Sequence, residues 1–352
     1  MRVQGYARGS KDKKTTVSKG GNSMKLDKIA KLTGMLLATT AITSISTGAA
    51  LAEYPEKPIK IMVGFSAGGG TDTTARGFAS YVHEVPEMNG MPAVVVNKPG
   101  GTGMIAAKVA KDAKPDGYTL YMINSGTFSI THMKSFGKAP VDPLNDFQIL
   151  GCMSQLVSSL QVPTDSPIKT AKEFAAWAKA QDGKLRWANS GAGSMHTLAG
   201  HLLLDSLGVK HQPIPFKGGS KARNAIAAKK TPLGFNGVHM LAGFESKIKA
   251  LAVTSSKRDT VNPNIPTLGE SNLPGLGIVG PMCLWGRKDL PKDVVAKLQA
   301  AVKHVTGIKG FKKFMKKSRL AAVYASPEEG TAKTKVLYTK LGPVVDKIFK
   351  KK

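Results

Sequence analysis

Short apolar runs alternate with helical patterns along most of the chain. The first run, over residues 59–63, leads through a glycine-rich loop into a helix predicted over about 71–84. The unit repeats with an apolar run at 93–96 and a helix at 104–111, and a third strand is predicted over 118–123. Strands that alternate with helices favour a parallel α/β sheet over a β-sandwich or a helix bundle.

A second alternation of strands and helices begins near Ile149. It gives way to a Pro- and Asn-rich stretch over residues 262–274, after which a strand and two long helical patterns finish the chain. Because strand and helix patterns return after this stretch, one lobe is predicted to be built from both the N-terminal and the C-terminal parts of the chain. We therefore expect a first lobe of residues 53–151 plus 279–352 and an inserted second lobe of residues 152–278.

The first 52 residues have the pattern of an extension followed by a secretory signal peptide. Three lysines after Met24 precede an apolar, small-residue stretch that ends in Ala50-Leu51-Ala52, which a signal peptidase would cut. The alternative is a membrane anchor, but the stretch is diluted by Thr, Ser and Gly and is short for a bilayer of ~30 Å. We expect cleavage after Ala52 and a periplasmic mature protein, with either Met1 or Met24 as the start.

The chain is strongly basic, with a formal net charge of +28. Removing the nine basic and two acidic residues of the leader from totals of 51 and 23 would leave about +21. Such a charge attracts anions. Nucleic acid is disfavoured as the partner, because the leader directs the chain out of the cytosol and the densest lysine run, near 312–319, lies on a helix with an apolar stripe.

Two cysteines, Cys152 and Cys283, lie far apart in the sequence. In an oxidising compartment they could pair, but nothing in the sequence brings them together. Buried free thiols are the expected state.

Glycines concentrate where a strand ends and the next helix begins. Gly68-Gly69-Gly70 and Gly100-Gly101-Thr102-Gly103 could each present backbone N–H groups and a helix N-terminus to an anion. The alternative is that these glycines only form tight turns. Polar loop residues at the third strand end, Ser125 and Thr127, and in the second lobe, Ser190 and Ser194, favour a polar cleft.

Asp72 is ambiguous at this position. It could cap the first helix, as the helix dipole favours, or accept a hydrogen bond from a ligand hydroxyl or amine.

Few features of the sequence support an enzymatic site. Residues 64–68 match the G-x-S-x-G pattern of a hydrolase nucleophile, but Ser66 would lie too near the mature N-terminus for earlier strands to supply an oxyanion hole. The dinucleotide pattern fails at Thr73, no Walker lysine is present, and His196 and His201 lack metal-ligand spacing. We expect no catalytic residues, no metal and no cofactor.

Several motifs together resemble one family, the substrate-binding proteins of tripartite tricarboxylate transporters, of Bug or TctC type. The resemblance spans the mature chain in order, and its motifs are highly specific only in combination. They are Tyr54-Pro55-x-Lys57-Pro58-Ile59, Phe65 to Asp72, Val94 to Gly100, Pro115 to Leu120, Phe216-Lys217-Gly218-Gly219, Leu251 to Ser255 and Ile265 to Glu270.

The resemblance implies a two-lobed, type II periplasmic-binding-protein fold with a hinge that closes over an organic acid. It also implies delivery of that acid to a membrane permease. Departures from the family pattern include Ser66 for a common proline in the first lobe, and Thr197 for a common histidine and His201 for a glutamate in the second lobe. The expected ligand-binding residues are Ala67, Gly68, Gly69, Gly70, Thr71, Asp72, Gly100, Gly101, Thr102, Gly103, Ser125, Thr127, Ser190, Ser194, Thr197 and Asn236.

The leading hypothesis is a periplasmic binding protein for a di- or tricarboxylate or an aromatic acid, expected to be monomeric. An orphan member that senses its ligand and signals to a membrane partner is the alternative. A serine hydrolase that uses Ser66 is a remote third.

Overall fold

The computed structural model describes residues 53–350 except 182, 184 and 278. The predicted extension and signal peptide, residues 1–52, lie outside the described residues. Among the described residues, none of the helices combines the length and apolar character that crossing a membrane requires.

The strands follow the apolar runs of the sequence. In chain order they are β1 (Ile59–Val63), β2 (Ala93–Asn97), β3 (Thr119–Asn124), β4 (Phe147–Gln155), β5 (Ser158–Pro163), β6 (Leu185–Asn189), β7 (His211–Pro215), β8 (Leu233–Gly237), β9 (Ile248–Val253), β10 (Pro281–Arg287) and β11 (Ala321–Ala325).

The helices connect these strands and cover the sheets. They are α1 (Gly70–Tyr81), α2 (Met104–Asp112), α3 (Ser125–Lys134), α4 (Ala171–Lys179), α5 (Met195–Ser206), α6 (Gly219–Ala227), α7 (Lys292–Gly307), α8 (Lys309–Lys317) and α9 (Pro327–Phe349).

In the described part of the chain the strands form two sheets, one for each lobe. The first has six strands in the order β11-β4-β10-β3-β1-β2, and the second has five in the order β7-β6-β8-β5-β9. The chain leaves the first sheet after β4 and returns to it at β10, while the lobe limits at residues 152 and 278 stay predictions. The α/β class and the two lobes are as the sequence indicates.

Both sheets are mixed, although a parallel sheet was expected. In the first sheet, β1 runs parallel to β2 and β3, as the strand–helix alternation requires. By contrast, β10 is antiparallel to β3 and β4. The difference arises because β4 and β10 are joined through the second lobe and not through a crossover helix, so they need not share a direction.

A helix begins at Ser125, where the sequence predicted a loop. Its Gly, Ser and Thr residues have weak helix propensity, but Phe128 and Ile130 are buried and the Asn124 side chain accepts the Thr127 N–H at 3.1 Å. Packing and capping therefore outweigh local propensity in α3.

The lobes have separate apolar cores and a shared apolar cluster. Phe128 and Trp285 meet edge to face in the first core, and Trp187 and Phe235 do so in the second. The shared cluster, here called the bridging cluster, joins α3, α5 and α9. It consists of Ile130, Met195, Leu198, Leu337, Leu341 and Val345.

Cys152 and Cys283 form a disulfide, so the expectation of free thiols was wrong. They are register partners on the adjacent antiparallel strands β4 and β10. Register between two strands that are distant in sequence depends on the tertiary fold, which is why composition could not reveal the pair.

The disulfide should contribute to the stability of the first lobe. We expect the double variant Cys152→Ala/Cys283→Ala to lose about 2–5 kcal/mol in the free energy of unfolding, because the cross-link no longer restricts the unfolded chain. Urea denaturation monitored by tryptophan fluorescence measures this loss. Wild type treated with a reductant should approach the variant, and equal stability of oxidised wild type and variant would contradict the expectation.

Candidate functional site

A small polar cavity lies between the two lobes. Its volume is about 30 Å³, which is roughly the space of one water molecule. Strand ends and helix starts of both sheets contribute to it. The lining residues are Phe65, Gly69, Gly70, Thr71, Asn124, Thr127, Ser190, His196, Gly219, Asn236 and His239.

Four helices, α1, α3, α5 and α6, begin at this cavity. Their first turns supply Gly70, Thr127, His196 and Gly219 to its lining. Helix N-termini carry partial positive charge and N–H groups without intrahelical acceptors. Their convergence makes the cavity suited to an anion.

The four N-termini differ in whether a side chain already caps them. Asn124 caps α3, and Ser194 caps α5 by accepting the Thr197 N–H at 3.2 Å. Glycines stand at the caps of α1 and α6, and within the described residues no side chain caps either helix. The first turns of α1 and α6 are therefore the ones most available to a ligand.

Asp72 organises the first glycine-rich loop. Its carboxylate accepts hydrogen bonds from the Gly68 N–H at 2.8 Å, from Asn97 Nδ2 at 2.9 Å and from Arg76 Nε at 3.0 Å. Asp72 is 2% exposed. Of the two roles that the sequence allowed, the geometry supports a structural one, and the Gly68 N–H is committed to Asp72 and not to the cavity.

The second glycine-rich loop contacts the other lobe instead of lining the cavity. The Gly193 N–H donates to Thr102 Oγ1 at 3.3 Å. Gly103 has a φ of +99°, and a Cβ there would lie 2.5 Å from the Tyr121 hydroxyl oxygen. Gly103 is needed because its backbone is left-handed and its neighbours leave no room for a Cβ. It therefore functions here as a turn residue.

Two buried histidines lie at the cavity, and the sequence did not point to either. His196 Nδ1 and Ser158 Oγ share a hydrogen bond of 2.6 Å. His239 is 4% exposed, and neither of its ring nitrogens has a hydrogen-bond partner among the described residues. Burial lowers the pKa of His196 to about 4. Burial, aided by the proximity of His196 and Arg223, lowers the pKa of His239 to about 3.

The predicted site residues divide into two groups. Six line the cavity: Gly69, Gly70, Thr71, Thr127, Ser190 and Asn236. The other ten lie outside its lining: Ala67, Gly68, Asp72, Gly100, Gly101, Thr102, Gly103, Ser125, Ser194 and Thr197.

Sequence reasoning missed Phe65, Asn124, His196, Gly219 and His239. Asn124 ends β3 and Gly219 begins α6, so each lies at the connection between a strand and the next helix, which is the pattern that located the first loop. Applied equally to the second lobe, that rule would have found Gly219. A single histidine such as His239 gives no comparable signal.

Ser66 is not arranged as a nucleophile. Its hydroxyl donates to the Lys217 carbonyl oxygen at 2.9 Å, and within the described residues no hydrogen bond joins it to a histidine. A nucleophilic serine needs a neighbouring base to take its proton, and a backbone carbonyl cannot serve.

One group of side chains in the described chain resembles a set of metal ligands, and it consists of His201, Asp205 and His211. Trp187 Nε1 donates to His211 Nδ1 at 3.1 Å, so the lone pair of a neutral imidazole lies on Nδ1. His211 Nε2 then carries the proton and donates to Asp205 at 2.9 Å. Because Nε2 has no lone pair for a metal, the cluster fits a hydrogen-bonded chain and not a metal site.

Comparison with known proteins identifies the family. Residues 79–348 match the tripartite tricarboxylate transporter family receptor. The chain belongs to this family. A UPF0065 protein encoded in the gbd 5' region of Cupriavidus necator is 30% identical over 330 residues, which cover 88% of this chain and 95% of that protein.

Solved structures of related receptors agree with this membership. The periplasmic binding protein BugD is 30% identical and superimposes with a TM-score of 0.76 over 84% of this chain and 98% of its own. MatC from Rhodopseudomonas palustris, solved with bound malate, is 26% identical, with a TM-score of 0.74 over 83% of this chain and 99% of its own. The resemblance seen in the motifs is thereby confirmed, as is the two-lobed fold. Because the family consists of transport receptors, the prediction that the chain is not an enzyme is also confirmed.

The buried histidines should make stability depend on pH. Both pKa values are lowered in the folded protein, so between about pH 6.5 and 4 the unfolded chain binds more protons. Stability therefore rises with pH across this window and falls on acidification, by up to about 1.4 kcal/mol per pH unit for each histidine. Urea denaturation at several pH values should show a weaker pH dependence for His196→Gln than for wild type. His304→Gln, which replaces an exposed histidine, is the control variant. If stability depends on pH as steeply in His196→Gln as in wild type, the lowered pKa of His196 would be contradicted.

Proposed function

We propose that this receptor captures a small organic carboxylate between its lobes in the periplasm and delivers it to the permease of a tripartite tricarboxylate-type transporter. The observation that carries the proposal is the meeting of four helix N-termini, from both lobes, at one polar cavity. Anions are the ligands that such an arrangement favours. The malate bound by MatC makes four-carbon acids the natural first probes.

The available groups are energetically sufficient for useful affinity. A hydrogen bond to a charged group contributes about 1.5–3 kcal/mol, and micromolar binding requires about 8 kcal/mol. A few N–H groups of α1 and α6, with Asn236 and the cavity hydroxyls, could supply this. The expected positive charge of the mature chain would speed the encounter with an anion.

Ligand entry requires the lobes to separate. A cavity of about 30 Å³ cannot hold a four-carbon acid, and direct hydrogen bonds cross between the lobes. Each neutral bond contributes only about 0.5–1.5 kcal/mol, and a solvent-exposed ion pair about 0–1 kcal/mol, so such contacts allow reversible opening, which supports a hinged mechanism. The hydrogen bonds include those that join Ser66 to Lys217, Ser220 to Ala67, Gly193 to Thr102 and to Thr131, and Met195 to Thr127. An ion pair also joins Arg319 to Glu245 at 2.8 Å.

A panel of acids tests the proposal directly. The mature protein, residues 53–352, should be stabilised by at least one mono-, di-, tri- or aromatic carboxylate, because a ligand at about 100 times its Kd adds ~2.7 kcal/mol to the free energy of unfolding. A thermal-shift screen measures this, after unfolding and refolding to strip any retained ligand. Calorimetry should then show binding without turnover. If no acid shifts the transition, the carboxylate assignment fails, and another solute or a sensor role becomes preferable.

Gly69→Ala tests whether the open helix ends bind the ligand. A Cβ there would lie at ordinary contact distances, 3.4 Å from the Ser66 carbonyl oxygen and 3.7 Å from the Gly219 nitrogen. The fold should therefore be spared, while the methyl group occupies space beside the first N–H of α6. We expect at least about tenfold weaker binding of the acid found in the screen, measured by calorimetry, since a tenfold change corresponds to only about 1.4 kcal/mol.

Gly307→Ala is the matched control for Gly69→Ala. No atom lies within 4 Å of a Cβ built at residue 307, and this residue does not line the cavity. Its affinity should equal that of wild type. Unchanged affinity in Gly69→Ala would show that this loop is only a turn.

A further inference from the structure

One exposed face of the first lobe is made of lysines, and it lies on α8. The lysines recur at spacings of one, three and four residues, which places them on one side of a helix with 3.6 residues per turn. No Asp or Glu occurs between Asp293 and Glu328, so all the formal charges in the segment around α8 are positive. The exposed side chains, here called the lysine face, are Lys309, Lys312, Lys313, Lys316 and Lys317.

The opposite side of α8 is fixed in the core. Phe311 is fully buried. A Cβ at Gly77 of α1 would lie 2.8 Å from the Phe314 ring, so the two helices are in close contact there. A Cβ at Gly310 would lie 2.7 Å from the Tyr81 ring. Because both contacts depend on the absence of a side chain, α8 cannot turn about its axis, and its lysines are held at the surface.

None of the five lysines forms an ion pair or a side-chain hydrogen bond within the part of the chain that the structure describes. Lysines elsewhere do so, as Lys111 does with Asp146 at 2.8 Å. A recess beside the start of α8 is lined by Glu87, Lys303 and His304, so its one carboxylate is matched by a lysine. Charges of one sign repel each other when no partner compensates them. An external anionic surface would relieve this repulsion.

The composition of the lysine face fits a membrane better than a protein. The cores of protein interfaces are enriched in aromatic residues, Met and Arg and are depleted in Lys. The aromatic residues of α8 are directed to the core, and only lysines remain exposed on it. A lysine is a compact, strongly hydrated charge on a flexible stem, and clusters of lysines are attracted to anionic lipids. Since the apolar side of α8 is already buried, such binding would be electrostatic and would not require insertion.

We propose that the lysine face of α8 docks this receptor on a membrane surface that contains anionic phospholipids. The receptor would be held there reversibly, because each lysine contributes a weak and salt-sensitive attraction. Retention at the surface raises the local concentration of the receptor around a permease in the same membrane. The inference goes beyond the proposed function, since it does not depend on which solute the cleft binds.

Co-sedimentation with lipid vesicles tests the docking face. The mature protein, residues 53–352, should bind vesicles of phosphatidylcholine and phosphatidylglycerol in equal parts and should not bind vesicles of phosphatidylcholine alone. Binding should weaken as sodium chloride is added, because the Debye length falls from ~10 Å at 0.1 M to ~3 Å at 1 M salt.

Two triple variants separate the lysine face from the overall charge of the protein. Lys312→Gln/Lys313→Gln/Lys316→Gln should bind the anionic vesicles about tenfold or more weakly than wild type. The matched control lowers the net charge equally by replacing three exposed lysines of the second lobe, and it should bind nearly as tightly as wild type. It is Lys172→Gln/Lys179→Gln/Lys210→Gln.

A third variant and two further readouts complete the test. Lys312→Arg/Lys313→Arg/Lys316→Arg keeps the charge and should bind the anionic vesicles like wild type. Every variant should keep the melting temperature of wild type and its affinity for the acid found in the screen, because these lysines are exposed and do not line the interlobe cavity.

Three outcomes would overturn the proposal. They are failure of wild type to bind the anionic vesicles, equal binding to phosphatidylcholine vesicles, and equal loss of binding in the two glutamine variants, which would attribute the attraction to net charge alone. Binding of poly-glutamate through the lysine face without any binding of vesicles would indicate an acidic protein partner instead. None of these results bears on carboxylate binding in the cleft, which the acid screen tests separately.

Discussion

The hydrogen bonds to the Asp72 carboxylate are the constraint on which the candidate site depends. They join the loop after β1, the end of β2 and the first turns of α1 through Gly68, Asn97 and Arg76. Because a buried carboxylate satisfies these donors, the loop keeps one shape without help from a ligand. The next residues, Gly69 and Gly70, are thereby held at the interlobe cavity. A site formed before its ligand arrives loses less conformational entropy on binding.

The first half of the fold was readable from the sequence because its signals are local. β1 and α1 are linked by glycines, and each apolar run that a helical pattern followed became a strand in the expected place. The helix at Ser125 was missed because its stability comes from the burial of Phe128 and from the Asn124 cap, which local propensity does not report. The Cys152–Cys283 pair depends on the register of β4 and β10, and residues between those strands form a whole second lobe.

The site was predictable only to the level of the loops that form it. Glycine-rich strand ends indicated a loop from which Gly69, Gly70 and Thr71 line the cavity, but no sequence rule says which N–H in a loop faces a cavity. Gly68 turns toward Asp72 and Thr102 turns toward Gly193, each for reasons of tertiary contact. His239 could not be predicted from the sequence for the same reason. The space for its ring is left by Gly70 and Gly237, which belong to different lobes and lie far apart in the sequence.

The bridging cluster has a mechanical consequence for the receptor. Apolar contacts have no preferred direction and tolerate sliding, whereas hydrogen bonds such as that between Ser220 and Ala67 break when their atoms separate by little more than an ångström. Leu337 and Leu341 of α9 share this cluster with Met195 and Leu198 of α5. The last helix of the chain therefore ties the second lobe to the first through contacts that do not depend on the alignment of any single pair of atoms.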